Sequence, residues 1–166
     1  MTTAYPRIPV RIFDFQYHSN LLLTRTISAV QRREGEDADY IVAQDFDCSI
    51  EMESIIEKTR FWKHVSVPFG FITDLSSTPR LARPIVGRVG PHLEASIVHD
   101  WLYVAWQAED IKPTETMRRF ADDVFLAAMT AAHVPPVTKR IAYRAVRLFG
   151  KTAFYGRDER LIADPD

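Results

Sequence analysis

Leu93-Glu-Ala-Ser-Ile-Val-His-Asp-Trp-Leu-Tyr-Val-Ala-Trp-Gln107 is the stretch on which the reading of this chain turns. It contains no glycine or proline, and its apolar residues recur at roughly helical spacing, so it predicts a helix. Downstream, Pro113 marks a boundary and Thr114 can cap a second helix with its hydroxyl. On that helix Met117, Phe120, Ala121, Val124, Phe125, Ala128 and Met129 repeat at steps of three and four, which makes a core stripe. Pro135-Pro136 stops it. Val137 to Phe149 then reads as a third helix, with Ile141, Ala145 and Leu148 inward and Gly150 at its C-terminal cap.

The texture upstream is different. Ile8 to Tyr17, Leu21 to Ala29, Tyr40 to Phe46 and Phe61 to Val67 are rich in β-branched and aromatic residues, as strands are. His18-Ser19-Asn20 and Arg33 to Asp39 supply polar turns. Ser49 to Lys58 fits a strand or a short helix. Strands followed by helices predict an α+β fold. It has N-terminal antiparallel strands and hairpins, strand-rich over 5–72, then a bundle of about three helices over 92–150. One domain would cover 1–156, with a polar, frayed tail over 157–166.

The composition is that of an ordinary globular chain: 166 residues, 46% hydrophobic, 26% charged. A formal net charge of −1 gives no overall footprint for nucleic acid or an acidic membrane. Arg140, Arg144 and Arg147 gather locally and read as a solvated helix face. Cys48 is the lone cysteine, so no intrachain disulfide or cysteine-based zinc site can form. The start lacks the regions of a signal peptide, and no apolar run approaches the roughly 20 residues that span a bilayer. Synthesis in a reducing cytoplasm is the expectation.

Chemistry, where there is any, is expected around His99-Asp100-Trp101-Leu102-Tyr103. Residues four apart on a helix lie one above the other, so His99 and Tyr103 share a face, and Asp100 points about a third of a turn away. Such a histidine can take a proton from water, and the carboxylate can hold a cation. The histidine needs a partner to fix its tautomer. Asp122, flanking the apolar stripe of the next helix, can reach the seam between the two helices, while Asp123 faces solvent more. The plain alternative is that Asp122 and Tyr103 hydrogen-bond only to hold two helices in register.

A second cluster runs from Val67-Pro-Phe-Gly-Phe-Ile-Thr-Asp74 to Leu-Ser-Ser-Thr-Pro-Arg80. Its short polar side chains suit a turn or helix cap. In the functional reading Asp74 is a carboxylate aimed at the His99 site. A serine nucleophile is disfavoured because the Gly-x-Ser-x-Gly elbow is absent. No His-x-x-x-His or Glu-x-x-His pair signals zinc or di-iron. Trp62, Trp101 and Trp106 read as core or interface anchors rather than base-stacking platforms.

Four ordered strings give a family resemblance: Val67-Pro-x-Gly-Phe-x-Thr-Asp-x-Ser-Ser-x-Pro-Arg80, His99-Asp-x-Leu-Tyr103, Ala121-Asp-x-x-Phe125 with Met129, and Tyr143-x-Ala-Val-Arg-x-Phe-Gly150. Together they resemble domain of unknown function 1353, a family of small proteins of bacteriophages, prophages and bacteria, over about Tyr40 to Gly150. The resemblance implies a phage-encoded protein made in the host cytoplasm, virion-associated and in contact with other particle proteins. His-Asp-x-x-Tyr followed by Ala-Asp-x-x-Phe also looks like the core of phospholipase A-two. That likeness implies His99 as base, Asp122 as its orienter, Tyr103 as support and Asp100 as a ligand of Ca2+; calcium wants roughly six to eight oxygens, and Asp74 is the candidate for one more. The calcium loop of those enzymes has no full counterpart: Gly87-Arg-Val-Gly-Pro91 lies at its place without completing the motif.

Three functional expectations follow. The first is a phage accessory or virion protein with a hydrolase-like site acting on lipid or cell envelope. The second is a non-catalytic component of a tail or particle. The third is an intracellular interaction protein made during infection.

Overall fold

In Phe46–Ser54 every second side chain is buried, from Phe46 through Cys48, Ile50 and Met52 to Ser54. The acidic and polar residues between them point outward. This period of two is what a half-buried strand requires. It resolves the ambiguous Ser49 to Lys58 segment in favour of strand, with a turn at 55–57 and Lys58 in the left-handed region at φ 57°. The computed structural model describes residues 3–25, 40–73, 90–157 and 162.

Phe46–Ser54 (β4) is the centre of an antiparallel sheet flanked by Val10–Tyr17 (β1) and Arg60–Val67 (β5). The β1 pairing runs from Val10 opposite Ser54 to Tyr17 opposite Cys48, with an irregularity between Ile12 and Asp14. A second antiparallel sheet joins Leu23–Arg25 (β2), Tyr40–Val42 (β3) and Ile72–Thr73 (β6). Gly70, at φ 82°, makes the turn into β6, and its N–H donates to the Val42 carbonyl.

The helices are Leu93–Ala108 (α1), Glu115–Ala131 (α2), Pro136–Phe149 (α3) and the short Lys151–Tyr155 (α4). The chain is thus a single α+β domain, strands first and helices after, as expected. α1 is buried on most of its circumference, from Ala95 to Trp106, as a helix apolar on nearly all sides must be. α2 contributes the predicted stripe, with Phe120, Ala121, Val124, Phe125, Ala128 and Met129 buried. The Tyr17 hydroxyl donates to the Ala128 carbonyl at 3.0 Å and ties β1 to α2. The Tyr5 hydroxyl reaches the Leu102 carbonyl at 2.5 Å and anchors the N-terminal segment on α1.

One expectation is corrected. Leu148 does not point inward: it is 72% exposed, and Ala142, Ala145 and Val146 form the buried face of α3. Within the tail, Ile162 bridges to Phe71. Asp74, Ser76, Ser77, the Arg33 to Asp39 turn and Gly87 lie outside the described residues. Burial pushes the Cys48 thiol up to about 12, so it packs as a small apolar group rather than reacting. Among the described residues no helix is long and apolar enough to cross a membrane.

Thr114 has an extended backbone, and its side chain accepts from the Met117 N–H at the start of α2. Thr114→Ala is expected to cost about 1 kcal/mol. A urea titration with an unchanged slope and a lowered midpoint would show it.

Candidate active site

Helix periodicity puts His99 and Tyr103 on the side of α1 that meets α2, and Asp122 stands opposite them. The connection 109–114 is short enough to fold α2 back along α1. Asp122 Oδ1 accepts from His99 Nε2 at 3.0 Å and from the Tyr103 hydroxyl at 2.6 Å. Its Oδ2 accepts from Arg147 Nη1 at 2.8 Å and from Arg118 Nη1 at 3.4 Å. Arg118 also grips Glu115 with two bonds of 2.9 and 2.7 Å, and donates to the Arg147 carbonyl. Three helices therefore converge on one carboxylate. Two arginines balance Asp122 and Glu115, so the cluster is neutral apart from the histidine.

The Asp122 side chain is wholly buried, and that of His99 is 1% exposed. Burial by itself pushes the Asp122 carboxyl up. The bond and charge of His99, with the bonds of Tyr103 and Arg147, outweigh it and hold the carboxyl below its ordinary range. Burial first, and then the Asp122 charge, push the Tyr103 hydroxyl upward, which keeps it a donor.

An ionised carboxylate only accepts hydrogen bonds, so His99 must present N–H from Nε2. In the neutral ring the lone pair then sits on Nδ1. That atom is buried and has no hydrogen-bond partner among the described residues. The ring packs between Tyr103, with centroids 4.0 Å apart, and Phe125, at 4.7 Å. The arrangement fixes both tautomer and orientation, as a general base requires.

Asp100 does not join the Asp122 cluster. It is partly buried on the β6 side of α1, where its Oδ2 accepts from the Thr73 hydroxyl at 2.7 Å. Phe71 packs edge-on against Trp101 beside it. Calcium takes roughly six to eight oxygen ligands. Among the described residues no group of three His, Cys, Asp or Glu side chains could hold a metal ion. Asp74, the other expected ligand, lies outside the described residues.

The sequence reading brought together His99, Tyr103 and Asp122. It missed Arg118 and Arg147, the cations that balance the site. Arg118 sits four residues before Asp122, the spacing of a helical ion pair, and that signal was available. Arg147, expected on a solvated face, instead turns its guanidinium inward to Asp122. Asp123 lies off the seam as expected, accepting from the Tyr143 hydroxyl at 2.7 Å.

Two outcomes follow from this geometry. Because the Asp122 carboxyl is held below its unfolded value, the stability it contributes is present at neutral pH. That stability is lost as pH falls through the lowered folded value. Asp122→Asn should cost about 3–5 kcal/mol by stranding buried charge, and should flatten the acid limb of a plot of melting temperature against pH. A methyl group at Gly150 would lie 2.3 Å from the Tyr103 hydroxyl and 2.5 Å from the Val146 carbonyl oxygen. Gly150→Ala is therefore expected to lose about 1–3 kcal/mol by overpacking, read from denaturant unfolding.

A family model described as "Protein of unknown function (DUF1353)" matches residues 49–146, which takes in β5, α1, α2 and most of α3. Every member of the Asp122 cluster except Arg147 falls inside that span. No curated protein and no solved structure matches the chain.

Proposed function

The chain belongs to the DUF1353 family, and from that premise we propose that it is a phage-associated accessory protein with a hydrolytic site based on His99. One observation supports the reading most directly. His99 is held by Asp122 through Nε2, while buried Nδ1 has no hydrogen-bond partner among the described residues. A histidine kept for packing alone gains nothing from an unsatisfied nitrogen, which costs about 1–3 kcal/mol when buried. A histidine kept as a base needs that nitrogen unengaged.

In the proposed step Nδ1 takes a proton from water, and the resulting hydroxide attacks an ester carbonyl carbon. The C–O bond to the leaving group breaks as the tetrahedral intermediate collapses. The imidazolium returns the proton to the departing alkoxide. Asp122 stays ionised and stabilises the imidazolium, and Tyr103 holds Asp122 in place. The resemblance to phospholipase A-two makes a lipid ester the substrate class to test first.

A second reading is favoured by one specific feature, the 1% exposure of His99. In it the cluster is a polar latch that fixes α1 against α2 in a particle component. Two measurements on His99→Asn separate the readings. The hydrolytic reading expects release of fatty acid from phospholipid vesicles by the wild type, lowered roughly 10²–10⁴-fold in the variant. The assay is run with and without added calcium. The latch expects no hydrolysis by either protein and an unfolding free energy lowered by about 1–3 kcal/mol. Equal hydrolysis by the two proteins would remove the catalytic claim.

A further inference from the structure

The net charge of −1 conceals a strong segregation. From Val124 to Arg157 the chain has no aspartate or glutamate, but it has Lys139, Arg140, Arg144, Arg147, Lys151 and Arg157. Arg147 turns inward to Asp122. Arg140, Arg144 and Lys151 are exposed, and none takes part in the ion pairs formed among the described residues. Large apolar side chains stand between them: Val137 is 68% exposed, Leu148 72% and Phe149 55%.

Val137, Arg140, Arg144 and Leu148 share a face, whereas Phe149 lies about 120° round from Val137, on the side of the buried residues. At about 100° per residue, Val137, Arg144 and Leu148 fall within about 40° of one another, and Arg140 lies about 60° to one side. The stripe runs roughly 16 Å along α3, and exposed Lys151 follows it at the start of α4. Its opposite side is the buried Ala142, Ala145 and Val146. α3 is thus apolar inward and, on its outer side, cationic with protruding aliphatic groups. Cations interleaved with exposed aliphatic groups give that outer side the two kinds of contact an anionic lipid surface accepts, phosphate and acyl chain.

We propose that the outer face of α3 docks on an anionic lipid surface. Lipid phosphates would pair with Arg140 and Arg144, and with Lys151 just beyond the helix, while Val137 and Leu148 enter the acyl boundary. A second copy of the chain is a poorer occupant, because two such faces repel. Nucleic acid would satisfy the arginines and leave the aliphatic groups in water. The proposal does not rest on the hydrolytic reading, since these side chains are not in the Asp122 cluster.

The test is co-sedimentation of the full chain with phosphatidylcholine vesicles, with and without phosphatidylglycerol. Binding is expected only with phosphatidylglycerol, and should weaken as salt is raised. Arg140→Gln with Arg144→Gln should weaken it by about fivefold per cation removed. Leu148→Asp should weaken it at least tenfold, with the thermal melt of both variants unchanged. His99→Asn should bind as the wild type does, so loss of hydrolysis and loss of docking are read separately. Three results would overturn the proposal. One is equal binding to neutral vesicles, or none to either kind. Another is tight binding to duplex DNA that survives Leu148→Asp, which would make the face a nucleic-acid surface. The third is a dimer in sedimentation velocity that Leu148→Asp dissolves.

Discussion

The packing of the helices depends on where the charge of Asp122 is satisfied. A carboxylate with no solvent contact is tolerable only when donors surround it, and here they come from three helices: His99 and Tyr103 from α1, Arg118 from α2 itself and Arg147 from α3. Apolar stripes alone let helices slide and rotate with little penalty. Convergent bonds on one atom pair do not, because a small rotation of α3 would strand Arg147 and leave Oδ2 short of a donor. The close approach that this demands explains Gly150, where the chain leaves α3 and passes against the Tyr103 hydroxyl.

The sheets serve the same arrangement from the other side. β4 buries Phe46, Cys48, Ile50 and Met52 beneath the helices, and β1 is fixed to α2 through Tyr17. β6 is only Ile72–Thr73, yet it brings the Thr73 hydroxyl to Asp100, one residue from His99. The two acidic residues of interest are therefore separated. Asp122 faces a neutralising cluster between helices, and Asp100 faces a strand end on the opposite flank of α1. A helix that offers adjacent residues to different neighbours can hold a base and an acid close together without joining them.

The helices were legible because each carried a local signal: no breakers within α1, a threonine cap before α2, paired prolines before α3. The His99, Tyr103 and Asp122 grouping was legible because four-residue spacing and a short connection leave few ways to pack two helices. The errors have physical causes too. Leu148 was placed inward because periodicity counts any apolar residue as core. Its neighbour Arg147 holds the inward position instead, since the buried Asp122 requires a cation there. Ser49 to Lys58 was ambiguous because Ile50 and Met52 are followed by Ile55 and Ile56, which prolong the apolar texture into a turn. Ile56 is 71% exposed, and only the fold reveals that the alternation ended before it.

The burial of His99 bears on what the cluster is for. A latch between α1 and α2 needs donors for Asp122, and Tyr103, Arg118 and Arg147 already provide three. His99 supplies a fourth donor, and its bond and charge do most to offset the burial of Asp122. As an imidazole it also brings a second nitrogen that must be satisfied or left at a loss. A leucine or phenylalanine at position 99 would pack against Phe125 without that penalty, and buried ionic groups are commonly replaceable by apolar ones at no cost to stability. Locally unfavourable choices with no structural return concentrate where a protein does chemistry. The unsatisfied Nδ1 is such a choice. Under the proposed function, a base so enclosed is reached only by an opening of the surrounding side chains, Phe125 among them.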